Sequence, residues 1–148
     1  MYNALSVAYH IIDYCNEQGS GISNLKLQKI LYFVQAEFLV STPTNRPCFK
    51  DKIEAWDFGP VVPNVYHQYK LFGSSIIPVG VNDALAPYFE EISLDDQIMI
   101  NSIVDDASRY TASQLVQITH NQAPWRNAYR RGFNNEITNA SILDYFRE

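Results

Sequence analysis

The spacing of apolar residues is most regular between Ser23 and Ser41. Leucine, isoleucine, valine and phenylalanine recur there at intervals of three and four positions, which places them on one side of an α-helix. Ser23 is a favourable N-cap residue, and Pro43 follows the last apolar position. The pattern predicts a long helix over residues 23–41 with a buried apolar side and an exposed polar side. The polar side carries Lys26, Gln28, Lys29, Gln35 and Glu37.

Further helices are indicated by the same spacing together with capping residues and prolines. Ser93, Thr111 and Thr138 each precede a helical pattern as an N-cap residue would. A proline is tolerated in the first turn of a helix, where its missing amide hydrogen would have no partner. These signals predict helices over residues 2–17, 93–110 and 124–131. They also predict a helix that begins at Pro60 or Pro63 and ends near residue 73, a helix that begins at residue 111, and a last helix from residue 138 to the end.

Two short segments favour extended structure. Residues 52–58 (KIEAWDF) are rich in β-forming side chains, and Gly59-Pro60 is expected to end that strand. Residues 76–81 (IIPVGV) form a second candidate, which its internal proline restricts to an edge position. The predicted fold class is therefore mainly α, with about six or seven helices in a single compact domain and a small β element.

Length and composition agree with one globular domain spanning residues 1–148. The chain is 47% hydrophobic and 18% charged, which is typical of a folded protein with a continuous core. Its formal net charge is −5, and this disfavours a general nucleic-acid binder because phosphate neutralisation needs a surplus of Lys and Arg. Direct binding of nucleic acid is not expected.

Cys15 and Cys48 are the two cysteines, and their spacing matches neither a disulfide framework nor a zinc ribbon. The N-terminal residues lack the features of an export signal, and no apolar run approaches the ~18 residues needed to span a bilayer. We therefore expect a cytoplasmic protein without membrane association.

Catalytic and metal-binding patterns are weak in this sequence. The three histidines, His10, His67 and His120, are not spaced three or four residues from each other or from a cysteine, so no metal site and no cofactor are predicted. Arg126, Arg130 and Arg131 form a basic patch on one late helix. Such patches usually serve the helix dipole or solubility, and a minority dock an acidic partner.

Three segments taken in order resemble a known family. They are SNLKLQKILYFVQ (23–35), IEAWDFGPVVPNVY (53–66) and THNQAPW (119–125), and ITNASILDYF (137–146) is similar to that family's end. On these segments the chain resembles the Panacea domain, the SocA-like antitoxin family of bacterial and phage toxin–antitoxin systems. The resemblance runs from about residue 4 to residue 146.

The resemblance implies a mainly helical domain that acts without catalysis, by binding and neutralising a cognate protein toxin. It does not specify the toxin, and the oligomeric state stays open. Polar residues in the first segment could either hold neighbouring backbone or meet a partner, while Trp56 and Trp125 are expected to pack with their indole N–H groups bonded. The family-motif residues that are candidates for partner binding are Lys26, Gln28, Lys29, Tyr32, Gln35, Glu54, Trp56, Gly59, Pro60, Val61, Tyr66, His120 and Trp125.

Two other functions remain as alternatives. One is a small hydrolase that uses Glu54, Asp57 or His120 around the Trp56 loop. The other is a DNA-binding regulator in which the helix over residues 23–41 enters the major groove with Lys26, Gln28 and Lys29. The absence of an enzyme signature favours the antitoxin expectation over the first alternative, and the acidic net charge disfavours the second.

Overall fold

The predicted central helix is present as α2 (Asn24–Ser41) in the computed structural model, which describes residues 1–147. The described residues contain seven α-helices, so the mainly α fold class is confirmed. Five helices pack around α2, and α6 (Ala123–Ala128) packs against two of them. The five are α1 (Ala4–Glu17), α3 (Pro63–Tyr69), α4 (Leu94–Ala107), α5 (Ala112–His120) and α7 (Asn139–Phe146).

Side-chain caps fix the starts of four predicted helices. The hydroxyls of Ser23, Ser93, Thr111 and Thr138 each accept a hydrogen bond from a backbone amide in the first turn of the following helix. At α5 the capping box is complete, because the Gln114 side chain also accepts from the Thr111 amide at 2.8 Å. Since these amides have no partner within the helix, the caps determine where each helix begins.

The β element is a three-stranded antiparallel sheet in the order β2–β1–β3. Strands β1 (Ile53–Trp56) and β2 (Gly59–Val61) form a hairpin in which Glu54 lies opposite Val61 and Trp56 opposite Gly59. Strand β3 (Glu136–Ile137) pairs with the other side of β1. The predicted strand at 52–58 is therefore confirmed in a shorter form.

The predicted strand at residues 76–81 is wrong. Within the described residues this segment forms a single bridge, between Ile76 and Ser23, and the Ile77 amide donates to the Ile22 carbonyl at 2.9 Å. Pro78 has no amide hydrogen to continue the pairing, and Gly80 has a φ of +79° inside the turns that follow.

Several helix boundaries also differ from prediction. Gly59 and Pro60 belong to β2, so α3 begins at Pro63, and it continues as a 3₁₀ turn through Phe72. Helix α6 ends at Ala128, which leaves residues 130 and 131 in the turn beyond it. The predicted basic patch is therefore divided between a helix and a loop.

Candidate functional site

Three polar side chains of α2 lie inside the protein. Gln28, Lys29 and Gln35 are at most 1% exposed, so the prediction that they contribute to a polar surface is wrong. Other elements cover α2 on its polar side as well as on its apolar side. A buried polar group needs a hydrogen-bond partner, and each of the three bonds to the main chain of a neighbouring segment. We call Gln28, Lys29 and Gln35 the anchoring residues.

Two of the anchoring residues hold the second strand of the hairpin. The Lys29 Nζ donates to the Pro60 carbonyl at 3.0 Å, and the Gln28 Oε1 accepts from the Val62 amide at 2.9 Å. Gln28 is itself oriented by Asn24, whose Oδ1 accepts from the Gln28 Nε2 at 2.9 Å. The position of the hairpin is thus determined by two consecutive side chains of α2.

Gln35 performs the same role for the loop before the hairpin. Its Oε1 accepts from the amides of Cys48 and Phe49 at 2.8 and 3.1 Å, and its Nε2 donates to the Phe49 carbonyl at 2.9 Å. Tyr32, also fully buried, donates from its hydroxyl to the Gln122 Oε1 at 2.8 Å. These bonds connect α2 to the loop before the hairpin and to the segment between α5 and α6.

Lys29 is the most unusual of these groups electrostatically. Its side chain is fully buried, and none of the described carboxylates forms an ion pair with it. Burial disfavours the charged form and lowers the pKa of the Lys29 amine to about 7. The amine therefore loses its proton near pH 7 in the folded protein, and the free energy of unfolding must depend on pH above that value.

Gly59 lies against Lys29 where the hairpin turns back. Its φ is +105°, which L side chains rarely adopt, and a Cβ there would lie 2.7 Å from the Lys29 Cε and 2.8 Å from the Thr119 Oγ1. The glycine is needed for both its conformation and its small size. It allows α2, the hairpin and α5 to approach one another closely.

The tip of the hairpin is held from behind by the C-terminal part of the chain. The Trp125 Nε1 donates to the Trp56 carbonyl at 2.8 Å, and the His120 Nε2 is 2.9 Å from the Asp57 carbonyl. The rings of His120, Trp125 and Tyr129 form a stack with centroid separations of 4.0 and 4.5 Å. The Tyr129 hydroxyl donates to the Asp57 carboxylate, which raises the pKa of the Tyr129 phenol.

An open groove of about 530 Å³ lies in front of the same hairpin. The Trp56 and Tyr66 rings meet edge to face in it at a centroid distance of 4.9 Å. Phe58 and Phe133 are 67% and 66% exposed, which is unusual for phenylalanine. We call this feature the Trp56 groove. Its lining residues are Asn24, Leu25, Gln28, Trp56, Asp57, Phe58, Val61, Tyr66, Lys70, Gly73, Ser74, Gly132, Phe133 and Asn134.

The predicted candidate residues divide into four groups in the structure. Gln28, Trp56, Val61 and Tyr66 line the Trp56 groove. Lys29, Tyr32, Gln35, Gly59 and Pro60 are buried behind it, and His120 and Trp125 support the hairpin tip. Lys26 is partly exposed on α2 and does not line the groove, and Glu54 lines a separate depression next to Lys50 and Asp51.

Several groove residues were not identified from the sequence. Asn24 lies one turn before Gln28, so helical spacing could have identified it. Phe58, Lys70 and Phe133 come from three different segments, and no pattern in the chain connects them.

The three residues of the hydrolase alternative do not converge on one site. The Glu54 carboxylate accepts from the Trp56 Nε1 at 2.9 Å, while the Asp57 carboxylate accepts from Tyr129. Glu54 and Asp57 line different depressions, and the His120 ring bonds to backbone. General acid–base catalysis requires such groups to face a common substrate position.

The DNA-binding alternative meets a similar difficulty. Of the three side chains expected to enter a major groove, Gln28 and Lys29 are buried, and only Lys26 is partly exposed. The prediction that they form a recognition surface is wrong for Gln28 and Lys29.

Over residues 1–147, no helix is both long and apolar enough to cross a membrane. The same residues contain no group of three or more His, Cys, Asp and Glu side chains arranged to hold a metal ion. His10, for example, is bonded to Asn101 at 2.8 Å.

Comparison with known proteins identifies the protein family to which this fold and its anchoring residues belong. The model of the family described as "Antitoxin SocA-like, Panacea domain" matches residues 27–126, and the chain belongs to that family. The matched range includes α2 from Leu27 onwards, the hairpin and the His120–Trp125 support. Among curated proteins, Antitoxin SocA of Caulobacter vibrioides (strain NA1000 / CB15N) is 33% identical over 133 residues, covering 83% of this chain and 68% of the relative. No solved structure matches the chain significantly.

Proposed function

We propose that this chain is a cytoplasmic antitoxin that neutralises a cognate protein toxin by direct contact, without catalysis. Membership of the SocA-like antitoxin family is the observation that supports this function most strongly. The two buried, free cysteines suit a reducing compartment.

The organisation of the site is consistent with a binding role. Three of its titratable residues are occupied by internal contacts: Lys29 with Pro60, Glu54 with Trp56, and Asp57 with Tyr129. Aromatic side chains line its open groove, among them Trp56, Tyr66 and Phe58, and aromatic residues are enriched at protein interfaces. Trp56 and Tyr66 are therefore candidates for toxin contact, while Gln28, Lys29 and Gln35 support the surface from within.

Co-expression with the protein encoded by the neighbouring reading frame tests the proposal. That protein should arrest growth when expressed alone, and this chain should restore growth and co-purify with it in a defined ratio. A stable interface of the usual size, about 1,600 Å² in total, should persist through size-exclusion chromatography. If growth is not restored and no complex forms, the antitoxin proposal is wrong.

The same assay separates contact from enzymatic removal of the toxin's effect. Glu54→Gln, Asp57→Asn and His120→Gln are conservative changes at the three residues of the hydrolase alternative. Under the contact mechanism, variants that remain folded should neutralise in proportion to the complex they form. Loss of neutralisation with complex formation and stability unchanged would favour catalysis instead.

A further inference from the structure

We propose that the Trp56 groove receives a toxin segment in which a large apolar side chain is flanked by acidic residues. This inference rests on the proposed antitoxin function and specifies the part of the molecule that the toxin contacts. Three features of the groove support it: its apolar walls, the charge at its rim and the way its walls are held.

The walls offer a site for one or two large apolar side chains. Trp56, Tyr66, Phe58 and Phe133 surround a volume of about 530 Å³, within the usual range of binding pockets. Phe58 and Phe133 expose about two thirds of their surface, and covering them would remove apolar area from water. An apolar group is therefore favoured over a polar one at this position.

The polar atoms at the base of the groove are already bonded within the protein. The Asn24 Nδ2 donates to the Tyr66 carbonyl at 3.2 Å, and its Oδ1 accepts from Gln28. The Gln28 Oε1 in turn accepts from the Val62 amide. An apolar side chain placed over these atoms would not break those hydrogen bonds, so the base does not require a polar ligand.

The net charge at the rim of the groove is positive, although the formal net charge of the whole chain is −5. Lys70 lines the groove, and Arg131 directly precedes the lining residue Gly132. None of the described carboxylates forms an ion pair with Lys70 or Arg131. Asp57, which accepts from the Tyr129 hydroxyl, is the lining carboxylate and offsets one of these two positive charges, so Lys70 and Arg131 leave one positive charge in excess. Acidic groups beside the apolar side chain would complement this rim and speed association.

The groove is also held in shape before any partner arrives. The Trp56 indole donates to Glu54 at 2.9 Å, and its carbonyl accepts from the Trp125 indole at 2.8 Å. A surface that is ordered in advance loses little conformational entropy on binding. This distinguishes the Trp56 groove from an exposed apolar residue such as Tyr88, which is 83% exposed on a turn.

Titration of the purified chain with the protein from the neighbouring reading frame, followed by calorimetry, tests this assignment. Phe58→Ala and Lys70→Glu should each raise Kd about tenfold or more. The Lys70→Glu effect should shrink as salt is raised, because it is electrostatic. Tyr88→Ala and Lys50→Glu are matched controls outside the groove and should leave Kd within about twofold. Overlapping peptides of the toxin should identify the segment that binds the groove. Replacing an acidic residue of that segment with lysine should restore the affinity of the toxin for the Lys70→Glu variant.

The possible outcomes separate this inference from the proposed function. If both groove variants bind as tightly as the unchanged chain, the toxin contacts another surface and the groove assignment is wrong, although the antitoxin function stands. If the unchanged chain forms no complex, the proposed function fails and this inference fails with it. If nuclease treatment abolishes the interaction, the cationic rim binds nucleic acid and the peptide assignment is overturned.

Discussion

The two sides of the Ile53–Val61 hairpin differ in how they use polar and aromatic residues. On the inner side, Lys29 and Gln28 form hydrogen bonds with the backbone of Pro60 in β2 and of Val62 directly after it, and both side chains are buried. On the outer side, Trp56 and Phe58 present aromatic surface to solvent. A family motif therefore contains two kinds of residue, those that hold a surface and those available on it. Four substitutions test this division.

Gly59→Ala should have the largest effect, because it disturbs the closest packing on the inner side. The new methyl would meet Lys29 and Thr119 at 2.7 and 2.8 Å, in a conformation unfavourable to alanine. Strain and overpacking together should lower the free energy of unfolding by about 4 kcal/mol, measured by urea denaturation.

Gly19→Ala is the matched control for that change. Gly19 also has a positive φ, +80°, but a Cβ there would have no atom within 4 Å. Its cost should be about 1 kcal/mol, from backbone conformation alone. Equal effects at the two glycines would show that close packing under the hairpin is unimportant.

Gln35→Met should have the next largest effect. The change keeps a similar volume but leaves the amides of Cys48 and Phe49 and the Phe49 carbonyl without their partner. Loss of these bonds in the interior should reduce stability by about 3 kcal/mol, again measured by urea denaturation. Gln117→Met, on the exposed side of α5, should change stability by less than about 0.5 kcal/mol.

Lys29 should make stability depend on pH. The amine keeps its proton up to a pKa near 10.5 in the unfolded chain and releases it at about 7 in the folded protein. The unfolded chain therefore binds more protons between these values, and the free energy of unfolding should rise with pH, by about 2 kcal/mol from pH 7 to 8.5. Below pH 7 the amine is charged in both states, and the full cost of burying it is present.

Lys29→Met should remove this rise, whatever its effect on stability at a single pH. The comparison is best kept below pH 9, because burial raises the pKa values of the Cys48 thiol and the Tyr32 phenol. Their ionisation in the unfolded chain opposes the Lys29 contribution at higher pH. Parallel curves for the two proteins between pH 7 and 8.5 would contradict a buried amine that titrates near neutrality.

Phe58→Ala should have the smallest effect on stability, less than about 0.5 kcal/mol by thermal or urea denaturation, because its ring is already 67% exposed. Phe49→Ala is the same change at a fully buried position and should cost about 4 kcal/mol. A large stability loss for Phe58→Ala would place this residue among those that hold the fold.

Local signals were enough to predict most of the helices. The N-cap residues Ser23, Ser93, Thr111 and Thr138 identified helix starts because capping depends only on neighbours in the chain. The bonded indole groups expected for Trp56 and Trp125 are also confirmed, since a packed tryptophan needs an acceptor for its N–H.

Features that depend on distant segments were not predicted. Periodicity could not distinguish a solvated glutamine from Gln28 or Gln35, whose partners lie 34 and 13–14 residues away in the chain. The prediction of a strand at 76–81 was wrong because no partner strand for it is present among the described residues. Strand β1 pairs with residues 59–61 and 136–137 instead. The Trp56 groove draws on four segments; the family motifs supplied Gln28, Trp56, Val61 and Tyr66, but no local pattern indicated that residues 70–74 and 132–134 join them.

The edge of β2 that does not pair with β1 is protected against the addition of another strand. Pro60 has no amide hydrogen, its carbonyl accepts from the Lys29 amine, and the Val62 amide donates to Gln28. An incoming strand would have to displace two buried side chains before making its first main-chain bond there. Self-association through that edge is therefore disfavoured.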